Sequence, residues 1–273
     1  MTGAPVAVAT HIDAVAGTVL RPRRRDPLFP HQHGAWAFLV LPVVLALPVS
    51  GISWAWTLLS IGWVAAYPTS WALTGLLAGP RPERFHRAAR LWLPPTTALA
   101  VALVWLRPWL VVVGAGFVVL FCLHLTYARR RDERALANDL LLVVECAVMV
   151  PVTVGVVAGE RSWIPPDLAW SASSLGLALV CLLALTGSVL HVKSRIRERR
   201  NLRYAVAAQA YAVACVPVVA VVGIAAGTST WLVIPFTLMA VRVRLVPQGW
   251  RPSRVGLVEL ACFVVLVATA FTA

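Results

Sequence analysis

The sequence is poor in charge. Asp, Glu, Lys and Arg make up 13% of its 273 residues, whereas hydrophobic residues make up 60% and the mean hydropathy is +0.81. A water-soluble domain carries about 25% charged residues, so this composition excludes a soluble globular enzyme and a disordered chain. Acidic residues are the scarcest, 11 against 24 Lys and Arg. The resulting net charge of +13 also fits a nucleic-acid-binding protein, and the positions of the basic residues decide between the two classes.

Several motifs are missing as well. The chain has neither a Walker motif nor a Gly-rich nucleotide loop, which argues against a pump driven by ATP. No apolar stretch carries the series of acidic residues that is typical of a proton relay. The five cysteines fall in five separate apolar stretches without metal-ligand or redox spacing, and we interpret them as buried thiols.

Long apolar runs are the main feature of the sequence. A transmembrane helix needs about 20 mainly apolar residues, and nine stretches qualify, with eight as the main alternative count. They are 34–50, 53–74, 91–106, 109–127, 138–158, 169–192, 204–226, 229–241 (or to 246) and 255–272. The sequence therefore predicts an all-α polytopic transmembrane helix bundle. Residues 1–27 are predicted to be a disordered cytosolic tail, and 28–273 a single transmembrane domain.

The basic residues test this count, because Lys and Arg accumulate in cytoplasmic loops. With nine spans, all 24 except Arg107 and Arg161 fall on one side, in segments 21–25, 81–90, 129–134, 193–203 and 242–254. We therefore predict a multi-pass protein of the cytoplasmic membrane, with its N-terminus inside and its C-terminus outside. The positive charge is then mainly a topology signal, and nucleic acid is not an expected partner.

Few ionisable or strongly polar residues fall inside the predicted spans, and all lie in the halves predicted to face the cytosol. They are His33, His124, Tyr127, Asn138, Asp139, Glu145, His191 and Glu259. Such residues are costly in a bilayer, so each is a functional-site candidate. Glu145 lies about two helical turns beyond Asn138 and needs a partner such as Asn138, a histidine or a loop arginine. A structural contact and a ligand site both remain open for it.

Basic clusters follow the fourth and sixth spans. Residues 127–139 and 191–201 are amphipathic at helical spacing, and arginine forks match phosphate groups well. Topology signalling with generic binding of anionic head groups is the alternative interpretation. The candidates for substrate binding are Tyr127, Arg129, Arg134, Asn138, Asp139, Lys193, Arg195 and Arg197. The candidates for proton transfer or orientation, and hence for catalysis, are Glu145, His33 and His191; no metal ligands are predicted.

Three segments resemble the YwiC-like family of bacterial membrane proteins. They are Pro30 to Trp36 with Pro42 in the following helix, 132–139 before the fifth span, and 195–199 after the sixth. The resemblance covers about residues 30–270, and the His-Gly-Ala-Trp sequence at 33–36 is its most specific element. It implies a membrane topology and no particular reaction.

The topology is also similar to that of the UbiA superfamily of intramembrane prenyltransferases, which have nine helices and an active site beneath the cytosolic loops. Tyr127 followed by Arg129 resembles the Tyr-then-basic segment after their fourth helix. The resemblance implies a prenyl diphosphate held by magnesium and two Asp-rich motifs. Here the corresponding loops offer only Glu83 and Glu198. Magnesium is thus a candidate cofactor that the acidic motifs do not support, and arginines would have to neutralise the diphosphate.

The leading hypothesis is a UbiA-like enzyme or binding protein for an isoprenoid or other anionic lipid, acting at a cytosol-facing cavity. Its expected partners are membrane lipids. One alternative is a transporter or permease-like protein that uses Glu145 for coupling. A second is a noncatalytic membrane scaffold.

Overall fold

The computed structural model describes residues 27–30 and 34–272, and within those ranges it consists of helices and loops without a β-strand. The helical content confirms the predicted fold class, a polytopic helix bundle. Of the predicted cytosolic tail, only Pro27 belongs to the described residues. His31 and His33 are not among the described residues.

The described residues form nine main helices, which we number α1 to α9, and each contains one predicted apolar stretch or most of it. Their bounds are Ala35–Ser50, Trp54–Ala78, His86–Leu106, Leu110–Arg129, Leu136–Ala158, Ala172–Val192, Leu202–Ala225, Val233–Leu245 and Pro252–Ala270. Helix α1 consists of two pieces that meet at Ala46. A π turn, Lys193–Arg197, continues α6.

Helices α5 and α6 form the centre of the bundle, and α1 packs against both. About 61% of the span of α5 and 50% of that of α6 are buried, against 11% for α3 and 6% for α4. Val143, Val150 and Val154 of α5 pack with Val180 and Leu185 of α6 in one cluster. Helices α2 and α4 flank α5, and α7, α8 and α9 contact α6. The exposed apolar faces of α3 and α4 are therefore the ones that suit contact with lipid.

Six of the nine helices, α3 to α7 and α9, are long and apolar enough to cross a membrane by length and composition. Helix α1 is shorter, α2 is long but less apolar, and α8 has only 13 residues. At about 1.5 Å per residue, α8 spans roughly 20 Å, less than a hydrocarbon core of about 30 Å. The chain is a multi-pass membrane protein. That α1, α2 and α8 also span the membrane stays a prediction.

The two basic residues assigned to the other face, Arg107 and Arg161, lie at the same end of the bundle. Arg107 Nε donates to a carbonyl at the end of α5 at 3.0 Å, and the Arg161 guanidinium lies 4.2 Å from the ring centroid of Trp105 near the end of α3. At the opposite end, Asp139 at the start of α5 pairs with Lys193 just after α6. We call this opposite end, which carries the basic loops, the basic end. Arg107 and Arg161 therefore lie at the end opposite the basic loops, as the nine-span arrangement predicts.

The orientation predicts which loops can be reached from outside the cell. In a background without the native cysteines, a membrane-impermeant maleimide applied to intact cells should label Glu160→Cys and leave Arg200→Cys unlabelled. The reason is that the basic loops remain on the cytosolic side. After permeabilisation both should react. Labelling of Arg200→Cys in intact cells would show that the orientation is wrong.

Candidate functional site

Eight polar side chains from five helices gather at the basic end. They are His124, Asn138, Asp139, Glu145, His191, Lys193, Arg242 and Glu259. We call this set the polar layer. It consists of three groups that interleave along the chain. Asn138 of the first group and Asp139 of the second are neighbours on α5, and only one residue separates His191 of the third group from Lys193 of the second.

The first group joins α4 to α5. His124 Nε2 lies 3.3 Å from Glu145 Oε1, and His124 Nδ1 lies 2.8 Å from Asn138 Oδ1. The Asn138 amide donates to the carbonyl of Glu133 at 2.9 Å, so its Oδ1 is left to accept from a protonated Nδ1. Nε2 and the carboxylate then share one further proton. The pair is therefore either imidazolium with carboxylate or neutral imidazole with a protonated carboxyl group, and His124 is the partner that Glu145 needs.

The second group joins α5 to the end of α6. Asp139 Oδ2 lies 2.9 Å from Lys193 Nζ and 3.7 Å from Arg197 Nη1. Lys193 also donates to the backbone carbonyl of Arg134, and it is buried despite its charge. Asp139 is therefore shared by two cations of the π turn, and this group keeps a net charge of +1. Arg134 contributes a backbone oxygen to this group, while its side chain is exposed.

The third group joins α6, α8 and α9 and is the most deeply buried. His191 Nδ1 lies 2.6 Å from Glu259 Oε1, and Arg242 Nη1 lies 2.8 Å from Glu259 Oε2. None of the three residues is more than 5% exposed. Arg242 and Glu259 form an ion pair by distance, although the N–H bond is not aimed at the oxygen. His191 Nε2 and Arg242 Nε have no hydrogen-bond partner among the described residues.

A groove of about 410 Å³ lies beside the polar layer, between the π turn, α7 and α8. It is lined by Arg195, Ala205, Val206, Gln209, Ala210, Val243 and Arg244. Its walls are thus mainly small or apolar, with two arginines. The Nε atom of Arg195 is buried and has no partner among the described residues. A second depression, of about 550 Å³, follows along 197–203 and includes four arginines.

The remaining predicted site residues are more scattered. Tyr127 lies half-buried near the end of α4, Arg129 is exposed on the last residue of that helix, and Arg195 borders the groove. Arg197 lies at the edge of the second group. His33, proposed for proton transfer, is outside the described residues. The structure therefore does not bring all the predicted residues to one point.

The helical spacing predicted for 127–139 and 191–201 is interrupted within each segment. Helix α4 ends at Arg129, and Arg131 then has a φ of +57°, which turns the chain before α5. After α6, the π turn ends at Arg197 and the backbone N–H of Glu198 donates to the carbonyl of Lys193. The predicted common face of His191, Arg195 and Glu198 is not formed as a whole, because Glu198 lies beyond the end of the π turn. His191 is buried against α9, and Arg195 borders the groove.

Sequence analysis missed Arg242 and Arg244, which it assigned to a basic loop, and gave no role to Glu259. All three take part in the groove or in the third group. The sequence did contain a signal for the two arginines. If the eighth stretch is taken to end at 246 and not at 241, Arg242 and Arg244 lie inside the helix. An arginine inside a span calls for a buried partner, and Glu259 is the acid in the next helix.

Comparison with known proteins identifies the family. The chain is 30% identical over 255 residues to the uncharacterized protein YwiC of Bacillus subtilis (strain 168), which covers 89% of this chain and 98% of that protein. The chain belongs to the YwiC-like family. The family model, described as YwiC-like protein, matches residues 29–154 and so includes the His124–Glu145 group.

A second relative is an uncharacterized protein of Haemophilus influenzae (strain ATCC 51907 / DSM 11121 / KW20 / Rd). It is 26% identical over 179 residues, which cover 65% of this chain and 71% of that protein. No solved structure matches this chain. The UbiA-like arrangement therefore stays a prediction.

The residues of this YwiC-like chain do not fit a magnesium–diphosphate centre. Among the described residues, no three His, Cys, Asp or Glu side chains lie close enough together to hold a metal ion. Asp139, Glu145 and Glu259, the acids of the polar layer, are each bound to a cation or a histidine. An anionic ligand at the basic end would therefore have to be neutralised by arginines.

The third group predicts a large loss of stability when its acid is removed. Glu259→Ala leaves the buried Arg242 without a counter-charge and His191 Nδ1 without its hydrogen-bond partner, so we expect the free energy of unfolding to fall by about 3–5 kcal/mol. Chemical denaturation in detergent measures this change. The matched control is Glu160→Ala on an exposed loop at the other end, which should change stability little. Equal effects of the two substitutions would contradict the importance of the buried pair.

Proposed function

We propose that this YwiC-like membrane protein binds an anionic lipid in the groove between the π turn, α7 and α8. The ligand class is an isoprenoid diphosphate or another lipid with a phosphate-bearing head. The observation that carries the proposal is the unpartnered, buried Nε of Arg195 at the edge of a mainly apolar groove. A buried donor without a partner is costly, and a phosphate oxygen would satisfy it.

The lining of the groove divides into two parts that match a lipid. Ala205, Val206 and Ala210 of α7 with Val243 of α8 give an apolar wall for a hydrocarbon chain. Arg195 and Arg244 supply the positive charge for a head group. Guanidinium groups are well suited to this role because they bind phosphate through two parallel N–H···O bonds.

Ion pairing distinguishes the same two arginines from the cations closest to the groove. Lys193 and Arg197 share Asp139, and Arg242 pairs with Glu259. Arg195 and Arg244 have no ion pair with a described residue, so their charge remains available for a ligand. The arginines of 197–203 add a second basic surface next to the groove. A head group with more than one phosphate could therefore contact both surfaces.

Under this proposal, the other predicted site residues have secondary roles or roles that only an alternative function requires. Arg129 and Arg134, both exposed near the start of α5, stay predicted contacts for a large head group. Proton transfer by Glu145, His33 or His191 stays a prediction that only the enzyme hypothesis requires. Coupling by Glu145 in a transporter would have to act through its contact with His124.

Ligand binding to the purified protein in phosphatidylcholine nanodiscs tests the proposal. Farnesyl diphosphate and phosphatidylglycerol are supplied in separate titrations without magnesium, and native mass spectrometry counts the bound molecules. The two titrations distinguish an isoprenoid ligand from a general anionic lipid. Release of inorganic diphosphate from farnesyl diphosphate would distinguish an enzyme from a binding protein.

Two substitutions make the test specific to the groove. Arg195→Gln and Arg244→Gln should each weaken binding about tenfold or more, since a charge-assisted hydrogen bond is lost. Arg254→Gln is the control, because Arg254 is exposed at the same end on the first turn of α9 and does not line the groove. The proposal fails if neither lipid binds, or if all three variants bind as the parent protein does.

A further inference from the structure

We propose that the loop between α5 and α6, residues 159–171, is an interfacial anchor that lies among uncharged or zwitterionic lipid head groups. The anchored face is the side of the membrane opposite the basic end. The tip of the loop, Trp163 and Ile164, reaches the boundary between the head groups and the lipid tails. This anchor is independent of the groove, which lies at the other end of the bundle.

Exposed tryptophans are concentrated at the end of the bundle opposite the basic end. We call this the outer end and define it by the connections 51–53, 107–109, 159–171 and 226–232 with the residues that border them. These connections lie together, because the ends of α1 to α5 share one apolar cluster and Ser173 of α6 donates to the carbonyl of Ala226. Of the six exposed tryptophans, Trp250 lies at the basic end. The other five lie at the outer end: Trp54, Trp105, Trp163, Trp170 and Trp231. Such a concentration of tryptophan is typical of a membrane–water interface.

The indole N–H groups of these five side chains have no hydrogen-bond partner among the described residues. By contrast, the half-buried Trp56, Trp63 and Trp92 each donate this hydrogen to a backbone carbonyl at 2.9–3.0 Å. A tryptophan at the interface keeps its ring in apolar surroundings and its N–H in polar ones. The five exposed indoles are therefore free to donate to the oxygen atoms of lipid head groups.

The connections of the outer end carry no net charge. They contain two basic residues, Arg107 and Arg161, and two acidic residues, Glu160 and Asp167. Both basic side chains are held by the protein, since Arg107 donates to a carbonyl at the end of α5 and the Arg161 guanidinium lies over the ring of Trp105. An anionic head group therefore finds no surplus of positive charge here. The surface fits uncharged or zwitterionic lipids.

The lengths of α5 and α6 place the loop at the membrane boundary. From Asp139 to Ala158, α5 rises about 28 Å, and from Ala172 to Val192, α6 rises about 30 Å. Both lengths match a hydrocarbon core of about 30 Å. With the pair of Asp139 and Lys193 at the cytosolic boundary, both helices end at the opposite boundary, where the head-group layer is about 5–8 Å thick. The loop that joins them therefore begins within this layer.

Contacts with α5 and α4 hold the base of the loop in place. Ala169 is buried and packs against Gly155 of α5. The backbone N–H of Trp109, just before α4, donates to the carbonyl of Ser162 at 3.2 Å. The position of the tip relative to the helix ends is therefore set by the fold.

The tip of the loop is apolar and has few backbone donors to satisfy. Trp163 and Ile164 are each 74% exposed, and Pro165 and Pro166 follow them. The N–H of Ile164 donates to Ser162 Oγ at 3.0 Å, and proline has no N–H. A segment that enters an apolar region needs its backbone polar groups satisfied by the protein. The tip is therefore suited to the boundary between head groups and lipid tails.

Nitroxide labels in phosphatidylcholine nanodiscs test the position of the tip. In the background without the native cysteines, Trp163→Cys and Ile164→Cys carry the label, and paramagnetic resonance measures its collisions with oxygen and with a water-soluble nickel complex. Val118→Cys on the exposed face of α4 is the reference for lipid tails, and Arg200→Cys is the reference for water. We expect the oxygen-to-nickel ratio at both tip positions to lie between the two references and to exceed that at 200 severalfold. A ratio at both positions equal to that at 200 overturns the proposal.

The lipid composition tests the class of head group. The ratio at 163 and 164 should stay the same when part of the phosphatidylcholine is replaced by phosphatidylglycerol. A tip that leaves the water phase only when phosphatidylglycerol is present overturns the preference for uncharged and zwitterionic head groups.

Tryptophan fluorescence gives a second measurement on protein that keeps its cysteines. Trp163→Phe should remove emission that brominated phosphatidylcholine quenches and leave the acrylamide-quenched emission nearly unchanged. The matched control is Trp109→Phe, a change of a buried tryptophan at the same end, which should leave the emission quenched by the brominated lipid unchanged. If Trp163→Phe instead removes acrylamide-quenched emission, the tip lies in water and the anchor is wrong, whatever the groove binds.

Discussion

The structure depends on the pairing of charges within apolar helices. Lipid tails are as apolar as leucine or valine, so apolar packing alone gives membrane helices little reason to prefer one neighbour or one depth. A charge left unpaired in that environment is expensive. The contacts of His124 with Glu145, of Lys193 with Asp139 and of Arg242 with Glu259 therefore specify that α4 meets α5, α5 meets α6, and α8 meets α9 at the basic end. The valines between α5 and α6 then fill the space that these pairs define.

The sequence allowed the helices and their sidedness to be predicted, because hydropathy and basic loops are properties of short segments. The positions of the basic residues between these segments also predicted that Arg107 and Arg161 lie apart from the others. The partners in the polar layer could not be predicted, since His191 and Glu259 are 68 positions apart and no local pattern connects them. Arg242 was missed for a different reason. It stands one residue beyond the predicted end of its span at 241, where hydropathy does not distinguish a loop from a helix end.

The few acidic residues explain why the basic end is so strongly positive. Asp139, Glu145 and Glu259 are all directed to a cation or a histidine within the bundle. These three carboxylates are thus committed to holding helices together, and the arginines on the outside keep their charge. Such a surface is the basis of the proposal that the ligand carries a phosphate.

Asp139 also determines where Arg195 points. Lys193 and Arg197 are four residues apart at the two ends of the π turn, and both reach the same carboxylate oxygen. In a helical turn, residues four apart share a face, whereas a residue two positions from each of them lies on the opposite side. Fixing Lys193 and Arg197 toward α5 therefore directs Arg195 away from α5, to the side where α7 and α8 form the groove. The ion pairs that close the α5–α6 contact therefore leave the Arg195 guanidinium without a carboxylate, facing a mainly apolar groove.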